Sequence, residues 1–213
     1  MLYHLQAVKD NLRNKEGRRI FYLAQGDRLT DEARDFLHRE HIEVLSPNQI
    51  QKQHKPEHMT HLNGEVLVSK THPRISFRGA MDSLEAEILL CQLEIPKLES
   101  QLQEILDLAR KLVACDVLDE PVPDGTLCGL DQDQLRSHSH LPQKFYSQPH
   151  FMPQVADGRT ILLLNRLRCK VRATELKAVA ALPERTDVIR ALNRMSSLVY
   201  ILMIREKAGM GKG

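Results

Sequence analysis

The sequence predicts a mainly α-helical protein, an antiparallel helical bundle with a small α/β extension at its N-terminus. Four segments place apolar residues at helical spacing. The links between them are short or contain helix breakers, which favours antiparallel neighbours. The first part of the chain differs, because it alternates short strand-like runs with polar stretches. We therefore expect an extension and linker at 1–65, a bundle at 66–208 and a frayed tail at 209–213.

The extension contains a strand–helix–strand pattern. Residues 19–24 and 42–45 are strand candidates because they are rich in apolar and β-branched side chains. Between them Thr30 is suited to cap a helix that we expect to reach about His41, since two acidic residues follow it in the first turn. Residues 46–65 are polar and contain two prolines, so they predict a linker or an excursion over the surface.

The bundle is predicted from four amphipathic segments. They span 79–95, 98–118, 159–181 and 186–207. Each repeats its apolar residues every three or four positions, the period of one helix face. Pro96 ends the first segment and Pro183 separates the third from the fourth, since proline cannot continue a helix.

The third helix carries charges on two opposite faces. At about 100° per residue, Arg166 and Lys170 lie on one side, and Arg168, Arg172 and Glu175 lie on the other. A surface helix needs only one polar face. One interpretation is a peripheral helix with scattered charges and an internal Arg–Glu pair. The other is that one charged face looks into a bundle or subunit interface and meets an anion there, because unpaired buried arginines are costly.

Composition and charge exclude several classes of protein. The net charge is +2, from 30 basic and 28 acidic residues, which argues against a large nucleic-acid footprint. The chain has no Trp, four Tyr and five Phe, so a base-stacking platform is not expected. It has no run of 18 apolar residues to span a membrane, and its start lacks the apolar core of a secretory signal. We expect a cytoplasmic protein.

Cysteines and histidines do not form a recognisable metal or disulfide pattern. The cysteines are Cys91, Cys115, Cys128 and Cys169. Their wide spacing predicts reduced, mostly buried thiols. The histidines that suggest a metal site are His54, His58 and His61 in the linker and His138, His140 and His150 in a later loop. None has a strong ligand spacing to a cysteine or carboxylate, which favours solvated loop histidines.

Three other groups have both a structural and a functional interpretation. Lys70 and Arg74 precede the first bundle helix, where they either hold an anion such as phosphate or form an ordinary basic approach. Asn193 and Tyr200 lie along one side of the fourth helix and either face a ligand or bond across the bundle. Phe151, in an irregular stretch before the third helix, either contacts a ligand or fills the core.

Three segments together resemble the cobalamin adenosyltransferases, in particular the branch associated with ethanolamine utilisation. "KTHPRISFRGAMDSL" (70–84) is similar to a family segment that reads Lys, Arg, then Gly-x-x-Asp-x-Leu. "LRCKVRATEL" (167–176) resembles the helix motif Arg-x-x-x-Arg-x-x-Glu, and "ALNRMSSLVYIL" (191–202) resembles a C-terminal helix that begins Leu-Asn-Arg. The three occur in the family's order. The match covers about 70–205, and 20–45 also resembles the ethanolamine branch.

The resemblance implies a helical bundle that assembles as a homotrimer with active sites between subunits. The implied reaction is attack of cob(I)alamin on C5′ of ATP, which forms adenosylcobalamin and releases inorganic triphosphate. Arg168, Arg172 and Glu175 would then face a cleft between chains, and Arg166 and Lys170 would face solvent. ATP with Mg²⁺ and cobalamin are the implied co-substrates.

The resemblance also implies roles for single residues in ATP binding. Lys70, Arg74 and Arg172 would surround the leaving triphosphate. Glu175 would orient an arginine or hold the nucleotide or its Mg²⁺. Asn193 would hydrogen-bond the nucleotide, and Arg194 would support the triphosphate or the interface.

Four residues are implied at the corrinoid. Asp82 and Arg168 resemble the family's ion pair that shapes the corrinoid pocket. Phe151 resembles the aromatic residue that displaces the lower cobalt ligand, and His150 lies beside it. Losing that ligand makes cobalt(II) easier to reduce. We therefore expect Arg168, Asp82 and Phe151 to take part in catalysis.

The sequence departs from the family pattern in two places. The usual Thr-Arg-x-Gly-Asp-x-Gly phosphate loop is missing, and residues 24–30, "AQGDRLT", resemble it only faintly. Some members of the ethanolamine branch have a metal site made of a histidine and a Cys-Cys-x-x-Cys cluster. His72 is near the corresponding place, but residues 83–88 contain no cysteine. We therefore predict no metal held by protein ligands.

The expected context follows from the ethanolamine branch. A reductase and ethanolamine ammonia-lyase are the expected partners, and a bacterial microcompartment is the expected place of association. Two other functions remain open from the sequence. One is a non-catalytic helical adaptor of such a microcompartment, and the other is an ATP-binding regulatory bundle that never touches cobalamin.

Overall fold

The computed structural model describes residues 1–15, 17–24, 26–45, 56–64 and 66–210. Helices predominate in this part of the chain, and short strands are confined to its first third, which confirms the predicted mainly α fold. The chain divides into two compact units. The N-terminal unit is Met1–His72 with Ala114–Glu120, and the helical unit is Pro73–Val113 with Pro121–Gly213. Among the described residues no helix is both long enough and apolar enough to cross a membrane.

The N-terminal unit combines short strands with two helices. The strands are β1 (Leu2–Tyr3), β2 (Arg13–Lys15), β3 (Arg18–Tyr22), β4 (Arg28–Leu29), β5 (Glu43–Leu45), β6 (Met59–His61) and β7 (Leu67–Ser69), and the helices are α1 (Leu5–Asp10) and α2 (Asp31–Arg39). β3 pairs antiparallel with β2 and parallel with β5, and α2 connects β4 to β5. The Thr30 side chain accepts a hydrogen bond from the Ala33 N–H at 3.4 Å. The predicted strand–helix–strand unit and its N-cap are therefore confirmed.

The predicted linker contains a strand that the sequence did not indicate. β6 pairs antiparallel with β7, and the two strands are joined through the segment that contains Gly64. Backbone pairing, which does not depend on apolar side chains, stabilises this polar hairpin. Residues 46–55 and 65 of the predicted linker, and 211–213 of the predicted tail, lie outside the described residues.

The helical unit is built on four long helices and two short ones. They are α3 (Pro73–Glu94), α4 (Glu99–Leu118, of which Glu99–Val113 belong to this unit), α5 (Gln132–His140), α6 (Pro142–Tyr146), α7 (Gly158–Ala181) and α8 (Thr186–Met210). Short 3₁₀ turns precede α4 and α7. α7 packs between α3 and α8, and α5 and α6 pack against α8. The four predicted bundle helices are present, close to their expected bounds.

Polar contacts between the long helices show that neighbours are antiparallel. Between α7 and α3 the contacts are Arg159–Glu94, Arg166–Glu87 and Thr174 with the Ala80 carbonyl. Between α4 and α3 they are Gln103–Gln92 and Arg110–Glu85. In both pairs the residue number rises along one helix while it falls along the other. Apolar residues at helical spacing, such as Leu84, Ile88, Leu164 and Leu198, fill the space between the helices.

Two parts of this unit differ from the prediction. α3 begins at Pro73, before the predicted start at 79, because proline is favoured in the first turn of a helix. α5 was expected to be loop, but Asp131 and Gln134 form a capping box at its start. His138 and His140 therefore lie in a helix. The sequence did not predict α5 because the helix has few apolar residues. Its buried residues are Leu135 and the polar Ser139.

Candidate functional site

Arg168 on α7 and Tyr200 on α8 lie against each other at the middle of the bundle. The guanidinium carbon of Arg168 is 5.0 Å from the centre of the Tyr200 ring, within the range of a cation–π contact. Arg168 is half-buried, and its Nε has no hydrogen-bond partner among the described residues. A buried donor without an acceptor is unfavourable, so Arg168 would be stabilised by an acceptor that the described residues do not supply.

His150 and Phe151 approach the same tyrosine from the segment between α6 and α7. The Nε2 of His150 is 3.1 Å from the His140 carbonyl, and Nδ1 is 3.0 Å from the Tyr200 hydroxyl. A carbonyl only accepts, so Nε2–H donates to it, and in the neutral ring Nδ1 then accepts from the hydroxyl. The Phe151 ring is stacked 6.3 Å from the Tyr200 ring. We call Arg168, His150, Phe151 and Tyr200 the Tyr200 cluster.

A partly buried ion pair supports the start of α7 beside this cluster. Lys207 donates to the Asp157 carboxylate, and the Gln154 N–H donates to it at 2.7 Å. The hydrogen bond from Lys207, followed by that from Gln154, holds the pKa of Asp157 below its usual range. The Lys207 ammonium also lies 5.8 Å from the centre of the Phe151 ring. These contacts hold the non-helical approach to α7 near Phe151.

Farther along the same pair of helices, Asn193 donates a 2.9 Å hydrogen bond to Glu175. Arg168, Arg172 and Glu175 form one stripe of α7, which we call the arginine stripe. Arg168 and Glu175 contact α8, whereas Arg172 is exposed and forms no ion pair with a described residue. No arginine pairs with Glu175 in the described part of the chain. The internal Arg–Glu pair of the first interpretation is therefore not what occupies this face.

The opposite charged face of α7 is paired with α3. The Arg166 Nε donates to Glu87 at 2.6 Å, and this hydrogen bond raises the pKa of Arg166. Arg166 is exposed but is held in this pair, and Lys170 is half-buried. The expectation that Arg166 and Lys170 face solvent is therefore wrong in part, because Arg166 is paired with α3 and Lys170 is half-buried. Arg172 of the arginine stripe, in contrast, forms no ion pair with a described residue.

Three predicted residues lie apart from these contacts. Asp82 is exposed on α3 and forms no ion pair with Arg168 within the described residues. Arg74 is half-buried in the first turn of α3. Lys70 is exposed in the N-terminal unit, where its N–H donates to the His58 carbonyl. Their assigned roles stay predictions.

Arg194 follows Asn193 in the sequence but faces another part of the bundle. It lines a cavity of about 480 Å³ between α4, α5 and α8. Burial lowers the pKa of Arg194, and the positive charges of Arg136 and Arg190 lower it further. Arg194 therefore lines this cavity and forms no hydrogen bond with the Glu175–Asn193 pair, although the charge of Glu175 still acts on its pKa.

Thiols and metal ligands form no centre in the described part of the chain, where no three His, Cys, Asp or Glu side chains are grouped to hold a metal. Cys91 and Cys115 are buried, as expected, but Cys169 is exposed. Burial and the charge of Glu87 raise the pKa of Cys91 to about 11. Burial and the charge of Glu104 raise the pKa of Cys128 to about 12.

Tyr200 is the residue of this site whose role the sequence did not assign. Its position seven residues, or two helical turns, after Asn193 places both on one side of α8. That spacing indicated a shared face. It did not indicate that the hydroxyl meets His150 or that the ring lies beneath Arg168.

Comparison with known proteins gives consistent matches. The family model for cobalamin adenosyltransferase matches residues 50–206. The chain is 36% identical over 157 residues to the corrinoid adenosyltransferase EutT of Salmonella typhimurium, and equally to that of Escherichia coli strain K12. These matches cover 70% of this chain and 59% of each relative. The matched region is thus less than two thirds of the length of these relatives.

Proposed function

The chain belongs to the cobalamin adenosyltransferase family, and from this we propose that it transfers the 5′-deoxyadenosyl group of ATP to reduced cobalamin. The electron pair of cob(I)alamin forms a bond from cobalt to C5′. The bond from C5′ to oxygen breaks, and inorganic triphosphate leaves with the two electrons of this C5′–O bond. The observation that carries this proposal is the Tyr200 cluster, because it brings together three residues expected at the corrinoid: Arg168, His150 and Phe151.

The Tyr200 cluster offers a corrinoid one polar and one apolar contact. The Nε–H of Arg168 has no partner among the described residues, and a shift of this half-buried side chain would bring it to an amide carbonyl at the edge of the corrin ring. Phe151 is half-buried and carries no proton to transfer, so its role is steric. It occupies the space below cobalt and excludes water and the lower ligand. The His150–Tyr200 hydrogen bond keeps the segment that carries Phe151 against α8.

The arginine stripe serves the nucleotide in this proposal. Arg172 is exposed and unpaired with described residues, so its guanidinium is available to phosphate oxygens. The Glu175 carboxylate uses one hydrogen bond to Asn193 and keeps further acceptor sites. Mg²⁺, which is bound mostly by phosphate oxygens and few protein groups, would take a Glu175 oxygen here. When bound, it neutralises charge on the leaving triphosphate. Lys70 and Arg74 remain the proposed further cations.

Exposed apolar side chains support assembly around this site as a homotrimer. On α3, Leu93 is 75% exposed, and Asp82 lies on the same side of the helix, three turns earlier. On α7, Leu176 is 70% exposed one turn after Arg172. Apolar surface of this kind is typical of protein interfaces. A neighbouring chain that covers it would turn the arginine stripe into a cleft and give Asp82 access to Arg168 of that chain.

By the family relationship, the product would serve ethanolamine ammonia-lyase, and a reductase would supply cob(I)alamin. The decisive experiment mixes the purified protein with chemically reduced cobalamin and MgATP and follows the appearance of the adenosylcobalamin spectrum. We expect that spectrum together with released triphosphate. Binding of ATP without any spectral change of the corrinoid would instead support a regulatory bundle, and binding of neither would support an adaptor.

A further inference from the structure

The cavity beside Arg194 lies away from the Tyr200 cluster, on a different face of α8. Its volume is about 480 Å³, within the range of sites for small organic ligands. α4, α8, α5 and the segment before α5 form its walls. Leu108, Val122, Leu127 and Leu135 give it an apolar lining. It shares no residue with the Tyr200 cluster.

The cationic side chains of this cavity are without partners in the described part of the chain. Lys111, Arg190 and Arg194 line it, and none of the three donates a hydrogen bond or forms an ion pair with a described residue. Burial and the positive charges of Arg136 and Arg190 lower the pKa of Arg194, and the charges of Asp133 and Glu175 offset only part of this. An anion bound between these groups would relieve the repulsion between like charges.

The acidic side chains of the cavity are already hydrogen-bonded. The contacts are Asp187 with Arg185 and the Val122 N–H, Glu104 with the Cys128 N–H at 2.7 Å, Asp107 with the Gln103 amide at 2.8 Å, and Asp124 with the Gln132 amide at 3.2 Å. The guanidinium neutralises Asp187. Glu104 and Asp107 contact neutral donors, so they keep both their charge and free acceptor sites. They belong to α4, whereas Arg190 and Arg194 belong to α8.

The α8 wall of the cavity therefore presents two guanidinium groups, and the α4 wall presents two carboxylates beside Lys111. None of these charges pairs with another across the cavity within the described residues. A ligand that satisfies both walls has an anionic end toward α8 and a hydrogen-bond-donating amine toward α4. The apolar lining suits a ring between these two ends. A phosphate monoester carries almost two negative charges near neutral pH, which suits the two guanidinium groups of the α8 wall better than a carboxylate does.

We propose that this cavity binds a nucleoside monophosphate or a phosphate ester of the same build, at a site separate from adenosyl transfer. Arg190 and Arg194 hold the phosphate, and Lys111 adds a positive charge from the α4 wall. Glu104 and Asp107 accept from the exocyclic amine, and the ring lies on the apolar lining. Bidentate contacts to phosphate oxygens explain why arginine is used twice on α8.

The test is calorimetric titration of the full chain with adenosine monophosphate, ribose 5-phosphate and adenosine, in the absence of corrinoid and ATP. We expect adenosine monophosphate to bind more tightly than either of its halves. Arg190→Gln and Lys111→Gln should each weaken it by about tenfold, the value of one charge-assisted contact. Asp107→Asn should weaken adenosine monophosphate and leave ribose 5-phosphate unchanged. The melting temperature of each variant checks that these surface changes leave the fold intact.

Arg172→Ala is the matched control for the transfer site. It should leave binding of adenosine monophosphate unchanged, because Arg172 lies on α7. A loss in Arg172→Ala with no loss in Arg190→Gln would place the nucleotide at the transfer site and overturn the proposal. Failure of adenosine monophosphate to bind the wild-type chain would also overturn it. Neither result depends on adenosyl transfer, so the proposed function stands or falls separately.

Discussion

At the scale of single residues, Tyr200 is the side chain that joins the parts of the candidate site. Its ring lies under Arg168 and beside Phe151, and its hydroxyl bonds His150. An aromatic ring loses little conformational entropy when it is ordered, and it offers an apolar face and a polar edge together. These properties suit a residue that orients both a cation and an imidazole.

Removing the Tyr200 hydroxyl should weaken corrinoid binding without unfolding the protein. Tyr200→Phe keeps the ring under Arg168 but loses the hydrogen bond to His150. The net contribution of one such hydrogen bond is about 0.5–1.5 kcal/mol. Spectral titration with cobalamin should show a several-fold weaker affinity. Tyr146→Phe is the matched control, because the Tyr146 hydroxyl also contacts a histidine, His138, at 2.7 Å. Equal effects of the two variants would contradict a specific role for Tyr200.

Replacing Arg172 should impair the use of ATP, whereas replacing a neighbouring cation on the same helix should not. Arg172→Ala removes an exposed guanidinium that has no partner among described residues, so stability should change by less than about 1 kcal/mol. Lys177→Ala removes an equally exposed charge outside the arginine stripe. Steady-state kinetics should show at least about a tenfold loss of kcat/KM for ATP in the first variant, as for a lost contact to charge. A comparable loss in Lys177→Ala would remove Arg172 from the proposed site.

At the scale of elements, the start of α8 is held by a carboxylate. Asp187 accepts two hydrogen bonds from Arg185 and one from the Val122 N–H, which ties the segment before α5 to α8. The Arg185 hydrogen bonds are the main cause that holds the pKa of Asp187 far below its usual range. Negative charge near a helix N-terminus is also favourable.

This contact should make stability depend on pH at acidic values. The folded pKa of Asp187 is depressed, so its contribution is complete above the unfolded value of about 3.9 and is lost as pH falls toward the lower folded value. Urea unfolding at a series of pH values should show a smaller acid-induced loss in Asp187→Asn than in the wild type. Asp124→Asn is the control, because Asp124 accepts from a neutral amide, that of Gln132. An unchanged pH profile in Asp187→Asn would contradict the assignment.

At the scale of the whole molecule, the apolar surface of α3 is the strongest sign of self-association. Leu89, Leu90 and Leu93 are all substantially exposed on a helix whose other side fills the core. Covering one large apolar side chain is worth about 1.5–3 kcal/mol. Several such residues on each chain are enough to influence oligomeric state.

Placing a charge on this surface should dissociate the proposed trimer. Leu93→Glu changes a side chain that is 75% exposed, so the folded chain should tolerate it. Sedimentation should show a shift from trimer toward monomer, with adenosyl transfer reduced in parallel. Leu141→Glu, which charges an exposed leucine at the start of α6, should leave both unchanged. A wild-type monomer, or a trimer that survives Leu93→Glu, would contradict the proposed interface.

The agreement between prediction and structure follows the strength of the local signal. The helices α3, α4, α7 and α8 were predicted because their apolar residues recur at helical spacing over many positions. The Thr30 cap was predicted because its hydrogen bond joins residues close in sequence. α5 and the β6–β7 hairpin were missed, because their apolar residues are few and packing against α8 or backbone pairing stabilises them. Of the candidate site, the sequence named Arg168, His150 and Phe151 but gave Tyr200 no specific role, and the roles of all these residues stay predictions.

The sequence by itself determined the helical bundle, the two charged faces of α7 and the family that its motifs resemble. The tertiary structure alone decided that Tyr200 meets Arg168 and His150, that Arg166 pairs with Glu87, and that Arg194 lines a separate cavity. The reason is geometric. The helical period sets the direction of a side chain around its own axis, but packing sets which neighbouring helix it meets and at what height.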